Sequence, residues 1–376
     1  AINNNNNFII QSELSKRFNF THRNKTGIRF SKKNFKIDVN ESQSDGELPI
    51  AIATKNGNTN FLQVYSQSQI NLTSKTKLNA GINLQYLSLN KNLSIEPRLG
   101  IKYTINNKNS LGLAYGIHSK MEQLPIYFVN INDQTPNRNL SFMKSSHYIL
   151  SFQKKIKEDL NLNIEPYFQN LINIPVSPNS YLSSINNNNP LFFNERLTSK
   201  GKGRNIGIDI TLEKFLSHRF YYMLTSSIFD SKYTGADGIQ RNTRFNRKYI
   251  FNFMFGKEWQ IKQSNIFSTN IRLNYLGGNR KEPIDMTTSL LQKEVVYAET
   301  DNNLAFSQKH NDLPVISLML SYRKNKQNYS SVWALQVINI GGTEQYAVDF
   351  YNLKTKAIDT EFDGLIIPNI SYKIEF

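Results

Sequence analysis

A period of two, held over unusually long segments, limits this chain more than any other feature. From Asn369 to Phe376, Ile370, Tyr372, Ile374 and Phe376 alternate with Asn369, Ser371, Lys373 and Glu375. Successive strand side chains point to opposite faces, so such a segment is oily on one side and wet on the other. Over Leu78–Tyr86 the apolar row is Leu78, Ala80, Ile82, Leu84 and Tyr86, and the facing row is Asn79, Gly81, Asn83 and Gln85. Between Ile95 and Ile105, Ile95, Leu99, Ile101 and Tyr103 oppose Glu96, Arg98 and Lys102. Wet rows recur at Asn161, Asn163, Glu165 and Tyr167, and at Asn205, Gly207, Asp209 and Thr211. Alternation of this kind fits a sheet packed on a dry core and a sheet facing lipid equally well.

Strand length and connections favour lipid. The segments run about ten to fourteen residues, against about five or six in an ordinary soluble sheet. Short polar turns, such as Thr73–Lys77, Asn106–Ser110 and Leu216–Arg219, alternate with long stretches: 40–60, 120–144, 175–202, 231–247, 276–312 and 341–363. Outer-membrane barrels have this asymmetry of short periplasmic turns and long extracellular loops. Aromatic residues near segment ends (Phe18, Phe20, Tyr86, Tyr103, Trp259, Tyr275, Tyr322) match interfacial girdles. The expected fold is all-β, a transmembrane antiparallel up-and-down β-barrel. About fifteen strands are expected over 1–376, the C-terminal part of a barrel of about 22 strands whose plug and earlier strands lie outside this chain. The first strand is expected at Phe8–Phe20, with Asn3–Asn7 in an extracellular loop of a longer precursor.

Composition excludes several classes. At 39% hydrophobic residues, no stretch reaches the roughly 20 apolar residues of a spanning helix. The 24 Phe and 19 Tyr argue against disorder. Without cysteine there is neither disulfide nor thiolate metal site. The +16 net charge comes from basic residues scattered through turns, which suits anionic headgroups and builds no nucleic-acid groove. Gly201-Lys202-Gly203 lacks the Lys-Ser/Thr and the helix of a phosphate loop. None of the five histidines is paired at helical spacing; His118 and His147 flank one long loop and read as rim residues, or as a shared ligand or metal contact. No nucleophile elbow or triad order appears, so neither enzyme activity nor a cofactor is expected.

Several stretches together resemble TonB-dependent outer-membrane receptors of the type with a carboxypeptidase-like regulatory domain. They are Thr198–Phe215, Tyr221-Tyr222, Ser231-Lys232-Tyr233, Asp237-Gly238, Arg241–Asn246 and Gly256-Lys257-Glu258. Upstream lie Glu165–Gln169 and Ile174-Pro175-Val176, and downstream Tyr275–Arg280, Pro283-Ile284-Asp285 and Ile367–Phe376, with Ser371 where the family often has Gly. The resemblance implies an integral protein of the bacterial outer membrane. It would import a scarce ligand such as an iron chelate, glycan or cobalamin, driven by a TonB-type complex that engages the plug. A barrel-assembly machinery, outer-membrane lipid and a surface lipoprotein are the further partners it suggests. A passive diffusion channel and a surface adhesion barrel remain open as alternatives.

The loop aromatics Tyr127, Phe128, Tyr181, Phe192, Phe193, Tyr233, Tyr297 and Phe306 are the candidate ligand contacts, by stacking on a sugar or chelate; they also suit packing of loops on one another. Tyr372, Ile374 and Phe376 are the candidate assembly signal, an edge recognised by strand addition.

Overall fold

The computed structural model of the chain describes residues 2–41, 48–178, 180–187, 193–262, 264–297 and 304–376. Ten strands fill the first part: β1 (Ile2–Arg17), β2 (His22–Glu41), β3 (Ile50–Asn71), β4 (Thr76–Leu87), β5 (Asn92–Asn106), β6 (Asn109–Lys120), β7 (Met143–Lys157), β8 (Leu160–Val176), β9 (Thr198–Ser217) and β10 (Phe220–Thr234). After them come β11 (Gln240–Asn242), β12 (Tyr249–Ile261), β13 (Asn265–Leu276), β14 (Arg280–Lys281), β15 (Gln308–Lys309), β16 (Leu313–Asn325), β17 (Ser330–Ile338), β18 (Gln345–Asn352), β19 (Ala357–Asp363) and β20 (Ile367–Glu375). Two short helices, α1 (Leu124–Tyr127) and α2 (Met286–Gln292), lie in the long connections.

One antiparallel sheet of 16 strands dominates. Its order is β1 to β10, then β12, β13, β16, β17 and β20, with the short β11 paired beside β10. The fifteen-strand path is the number expected from the sequence. The hairpins β14–β15 and β18–β19 stand apart from it. The turns are tighter than the sequence suggested. Between β9 and β10 only His218 and Arg219 remain, both with positive φ (53° and 66°), the geometry of a type I′ hairpin turn that neither residue advertises.

The first strand differs from expectation. Asn3–Asn7 do not form a loop; they belong to β1 and pair with β2 from Asn3↔Ile37 to Asn7↔Lys33. Asparagine has little strand preference of its own. Here β2 runs on for 20 residues and supplies the ladder partners, and pairing outweighs propensity.

Cα packing divides the chain into two units, one comprising 1–151, 167–206 and 231–243, the other 152–166, 207–230 and 244–376. In the first unit the registers stack side chains into cross-strand rows. One face carries Ile10–Phe30–Leu62–Tyr86–Leu93 and Ser12–Ile28–Val64–Leu84–Ile95. The opposite face carries Glu13–Gly27–Tyr65–Asn83–Glu96. Gly27 is required there, because the Tyr65 ring lies across it and a Cβ would sit 2.5 Å from the ring; the hydroxyl then donates to Glu13 Oε2 at 2.8 Å.

The second unit repeats the scheme. Trp259–Phe267–Tyr322–Trp333–Tyr372 form an unbroken aromatic row across five strands, with the Trp333 and Tyr372 rings 4.3 Å apart. On β12 and β13 a second aromatic pair, Phe251 and Tyr275, sits on the same face about eight residues further along, or about 26 Å of strand. Between the two lie Phe253, Phe255, Leu273, Ile271, Ile316 and Leu318. Lys257 is the charged residue within these rows, and its Nζ turns back over the Trp259 ring at 5.4 Å. The polar face carries Tyr221–Gly256–Asn270, where Tyr221 lies across Gly256 and accepts from Asn270 Nδ2 at 2.9 Å.

Candidate functional site

Most of the loop aromatics identified from the sequence are packed inside the loops. In the first unit β2 and β3 extend well past the length a membrane strand needs. Their ends present Phe35, Ile37, Val39, Ile52 and Ala53, and the 121–142 connection folds onto these residues. The resulting core takes in Tyr127, Phe128 and Phe193 together with Leu87, Leu140 and Phe142. Phe35 and Phe128 meet at 5.1 Å between ring centroids. Tyr127 is 0% exposed; its hydroxyl accepts from the Glu122 backbone N–H at 3.2 Å, and burial pushes it up to about 12. Glu122 itself is raised by burial against a smaller opposing effect of the Ser184 hydroxyl, which donates to it at 3.1 Å. Tyr233, at the end of β10, is likewise fully buried and donates to the Tyr181 carbonyl at 2.6 Å, so these two candidates pin the 177–197 connection to that strand.

In the second unit Phe306 is buried, with the Arg244 guanidinium 5.8 Å from its ring. Tyr297 is half-buried and bridges to Ile284. Phe192 lies outside the described residues. The structure thus brings Tyr127, Phe128 and Phe193 together, pairs Tyr181 with Tyr233, and leaves Tyr297 as the one described candidate that is only half-buried. Tyr372, Ile374 and Phe376 are exposed on the oily face of β20 or just beyond it.

Polar groups that the sequence did not single out make two tight clusters. In the second unit Asp312 accepts from Tyr249 (2.5 Å), Tyr275 (3.0 Å), Lys309 (2.9 Å) and the Gly278 N–H (3.2 Å). These donors, Lys309 first, hold its carboxyl far below the ordinary range. The cluster ties the 276–312 connection to the tops of β12 and β13.

In the first unit Glu96 is completely buried on the polar face. Its Oε2 accepts from Asn83 Nδ2 (2.8 Å) and Arg98 (3.0 Å), and its Oε1 from Gln85 Nε2 (2.7 Å) and from the backbone N–H (3.0 Å) and hydroxyl of Ser119. A buried carboxylate needs this density of donors to offset its lost hydration. The wet-row pattern placed Glu96 on the correct face; its contact with Ser119 on the next strand is a tertiary matter. His118 and His147, remote in sequence, come within 4.7 Å between ring centroids beside this cluster.

Among the described residues no helix is long and apolar enough to cross a membrane. Neither a family model nor a curated protein matches the chain. Solved structures do. The ferric yersiniabactin uptake receptor FyuA of Yersinia pestis superposes with a TM-score of 0.69 at 10% identity, covering 100% of this chain and 55% of its own. The ferric-catecholate import receptor Fiu of E. coli K12 gives 0.66 at 13%, covering 99% and 54%. The Escherichia coli outer membrane transporter YddB gives 0.63 at 11%, covering 97% and 53%.

The chain shares their fold. It spans about half the length of these structures. The expectation of an antiparallel up-and-down barrel sheet therefore stands, although identities this low speak for architecture alone.

Proposed function

We propose that the chain is the barrel portion of a TonB-dependent receptor in the bacterial outer membrane, with the oily face against acyl chains and the polar face lining a lumen. The observation that carries this reading is the apolar band of the second unit, bounded on β12 and β13 by aromatic pairs about eight residues apart. At the usual strand tilt that span covers roughly 20 Å of height, slightly short of the apolar band of about 25 Å in outer-membrane barrels. A contiguous oily surface of that extent facing water would be unusual for a monomer. The shared fold supports the same placement.

A barrel of about 22 strands is wide enough to need a plug. Strands β1 and β20 end the sheet order, each with one neighbour among the described residues. Further strands of the same protein pair with these edges, and a plug domain supplies the contact with the TonB-type complex. A carboxypeptidase-like regulatory domain ahead of the plug belongs to the same reading, as does delivery of the barrel by an assembly machinery that recognises Tyr372, Ile374 and Phe376. The barrel is wall and conduit, and no bond is broken in transport. Cargo is met at the loop end, where Tyr297 has exposed surface to offer. Ferric chelates head the classes to test because FyuA and Fiu are receptors for ferric yersiniabactin and ferric catecholates; glycan and cobalamin follow.

The test is uptake of radiolabelled ferric chelates, oligosaccharides and cobalamin by a deletion strain complemented with the full-length gene. Uptake of one class, abolished by an uncoupler or by loss of the TonB-type partner, is the expected result. Uptake that survives both treatments makes the protein a passive channel and overturns the proposal.

A further inference from the structure

The first unit's polar face contains a groove of about 430 Å³, within the range of small-molecule sites. Its floor is made of small residues. The cross-strand row Gln67–Gly81–Arg98–Gly116 lies beside Asn79–Gly100–Ala114, so Arg98 is flanked on both sides by glycine. A Cβ on Gly116 would come within 3.1 Å of His118 Nε2 and 3.5 Å of Arg98 Cγ. The missing side chains are what keep the guanidinium and imidazoles accessible. His118 and His147 line it, the amides of Gln63, Gln67, Asn79 and Asn83 add polar surface, and apolar residues such as Leu99 and Ile149 border it.

The charges decide what fits. Arg98 is half exposed and spends one arm on Glu96 Oε2. Glu96 is 0% exposed and already takes five donors, so it turns no free lone pair of consequence to the groove. What faces the groove is therefore the rest of the guanidinium, two imidazoles and side-chain amides, a set rich in N–H donors. Arg98 beside the imidazoles opposes a cation. Among the described residues no group of three metal-ligating side chains gathers either.

We infer that this groove is a seat for a carboxylate, held by Arg98 and oriented by His118 and His147. The carboxylate comes either from a small molecule passing along this face or from an Asp or Glu of a segment of the same protein packed against it. The seat requires only that the face be accessible, so it stands or falls independently of energy-coupled uptake.

The experiment is a structure of the full-length protein, determined with and without the dicarboxylate glutarate, together with calorimetric titration of glutarate. A glutarate carboxylate on Arg98 and an imidazole, with affinity lowered at least tenfold in Arg98→Gln and severalfold in His147→Gln, supports the inference and assigns a mobile ligand. An Asp or Glu of the protein in the same place, with no glutarate binding, supports it and assigns an internal partner. Should Arg98→Gln fail to fold, Gly116→Val fills the groove while leaving the Arg98–Glu96 pair, and the same loss is expected. A groove holding only water in both structures, or glutarate binding indifferent to Arg98, His147 and Gly116, overturns it.

Discussion

Single residues on this scaffold do work that their chemical type does not announce. Glu122 is pushed up by burial in the loop core. Its contribution to loop stability is therefore complete below the ordinary carboxylate value of about 4.3 and is lost as pH rises through the raised value. Hydrogen exchange should show the 121–142 connection better protected at pH 4 than at pH 7.5, and Glu122→Gln should flatten that difference. Gly256 offers a second check. A methyl there would sit 2.2 Å from the Tyr221 ring and dislodge its bond with Asn270. Gly256→Ala should cost about 1–3 kcal/mol in urea unfolding followed by tryptophan fluorescence. The loop aromatics show where reading a sequence stops. Tyr127 and Tyr233 look like stacking surfaces until the structure packs other segments against them. Which loop covers which is settled by contacts between residues far apart in sequence, and no local pattern encodes it.

At the scale of elements, the strands were largely legible because lipid and water impose opposite demands on alternate positions. The rows through Leu84 and Ile95, and through Asn83 and Glu96, fall on the faces that alternation assigns them. The exceptions are segments whose structure depends on a partner. Asn3–Asn7 have no alternation to read and become strand through β2. The sequence reads 341–363 as one long connection, and the structure builds the hairpin β18–β19 inside it. Tyr346, Val348 and Phe350, and Ile358, Thr360 and Phe362, do alternate with mostly polar residues, but each run is only seven or eight residues long and its partner is the other. The hairpin is held by side-chain bonds, among them Thr360 Oγ1 to Asp349 Oδ1 at 2.6 Å. The two faces make opposite predictions for one substitution on β17. Leu335→Arg places a charge among Leu320 and Ile370 on the oily face, one row in from the aromatic row through Trp333, and should cost about 1–3 kcal/mol. Gln336→Arg, one residue along and on the other face, should cost far less. Folding yield into lipid vesicles, read by heat-modified gel mobility, separates the two; equal losses would remove the assignment of faces.

For the molecule as a whole, the spacing of the two aromatic rows acts as a ruler. Trp259 and Phe267 mark one end, Phe251 and Tyr275 the other, and the about 26 Å of tilted strand between them covers roughly 20 Å of height. Interfacial aromatics resist being drawn into acyl chains or lifted into bulk water. A bilayer that is too thick must therefore pinch around the protein, at a fraction of a kcal/mol for each ångström of mismatch. Reconstitution across phosphatidylcholines of increasing chain length should accordingly be most efficient in the short-chain lipids and decline steadily beyond them. Among natural membranes the same arithmetic favours the thinnest, so the girdles act as an address as well as an anchor: they match this protein to the thickness of the leaflet pair in which it rests with least deformation.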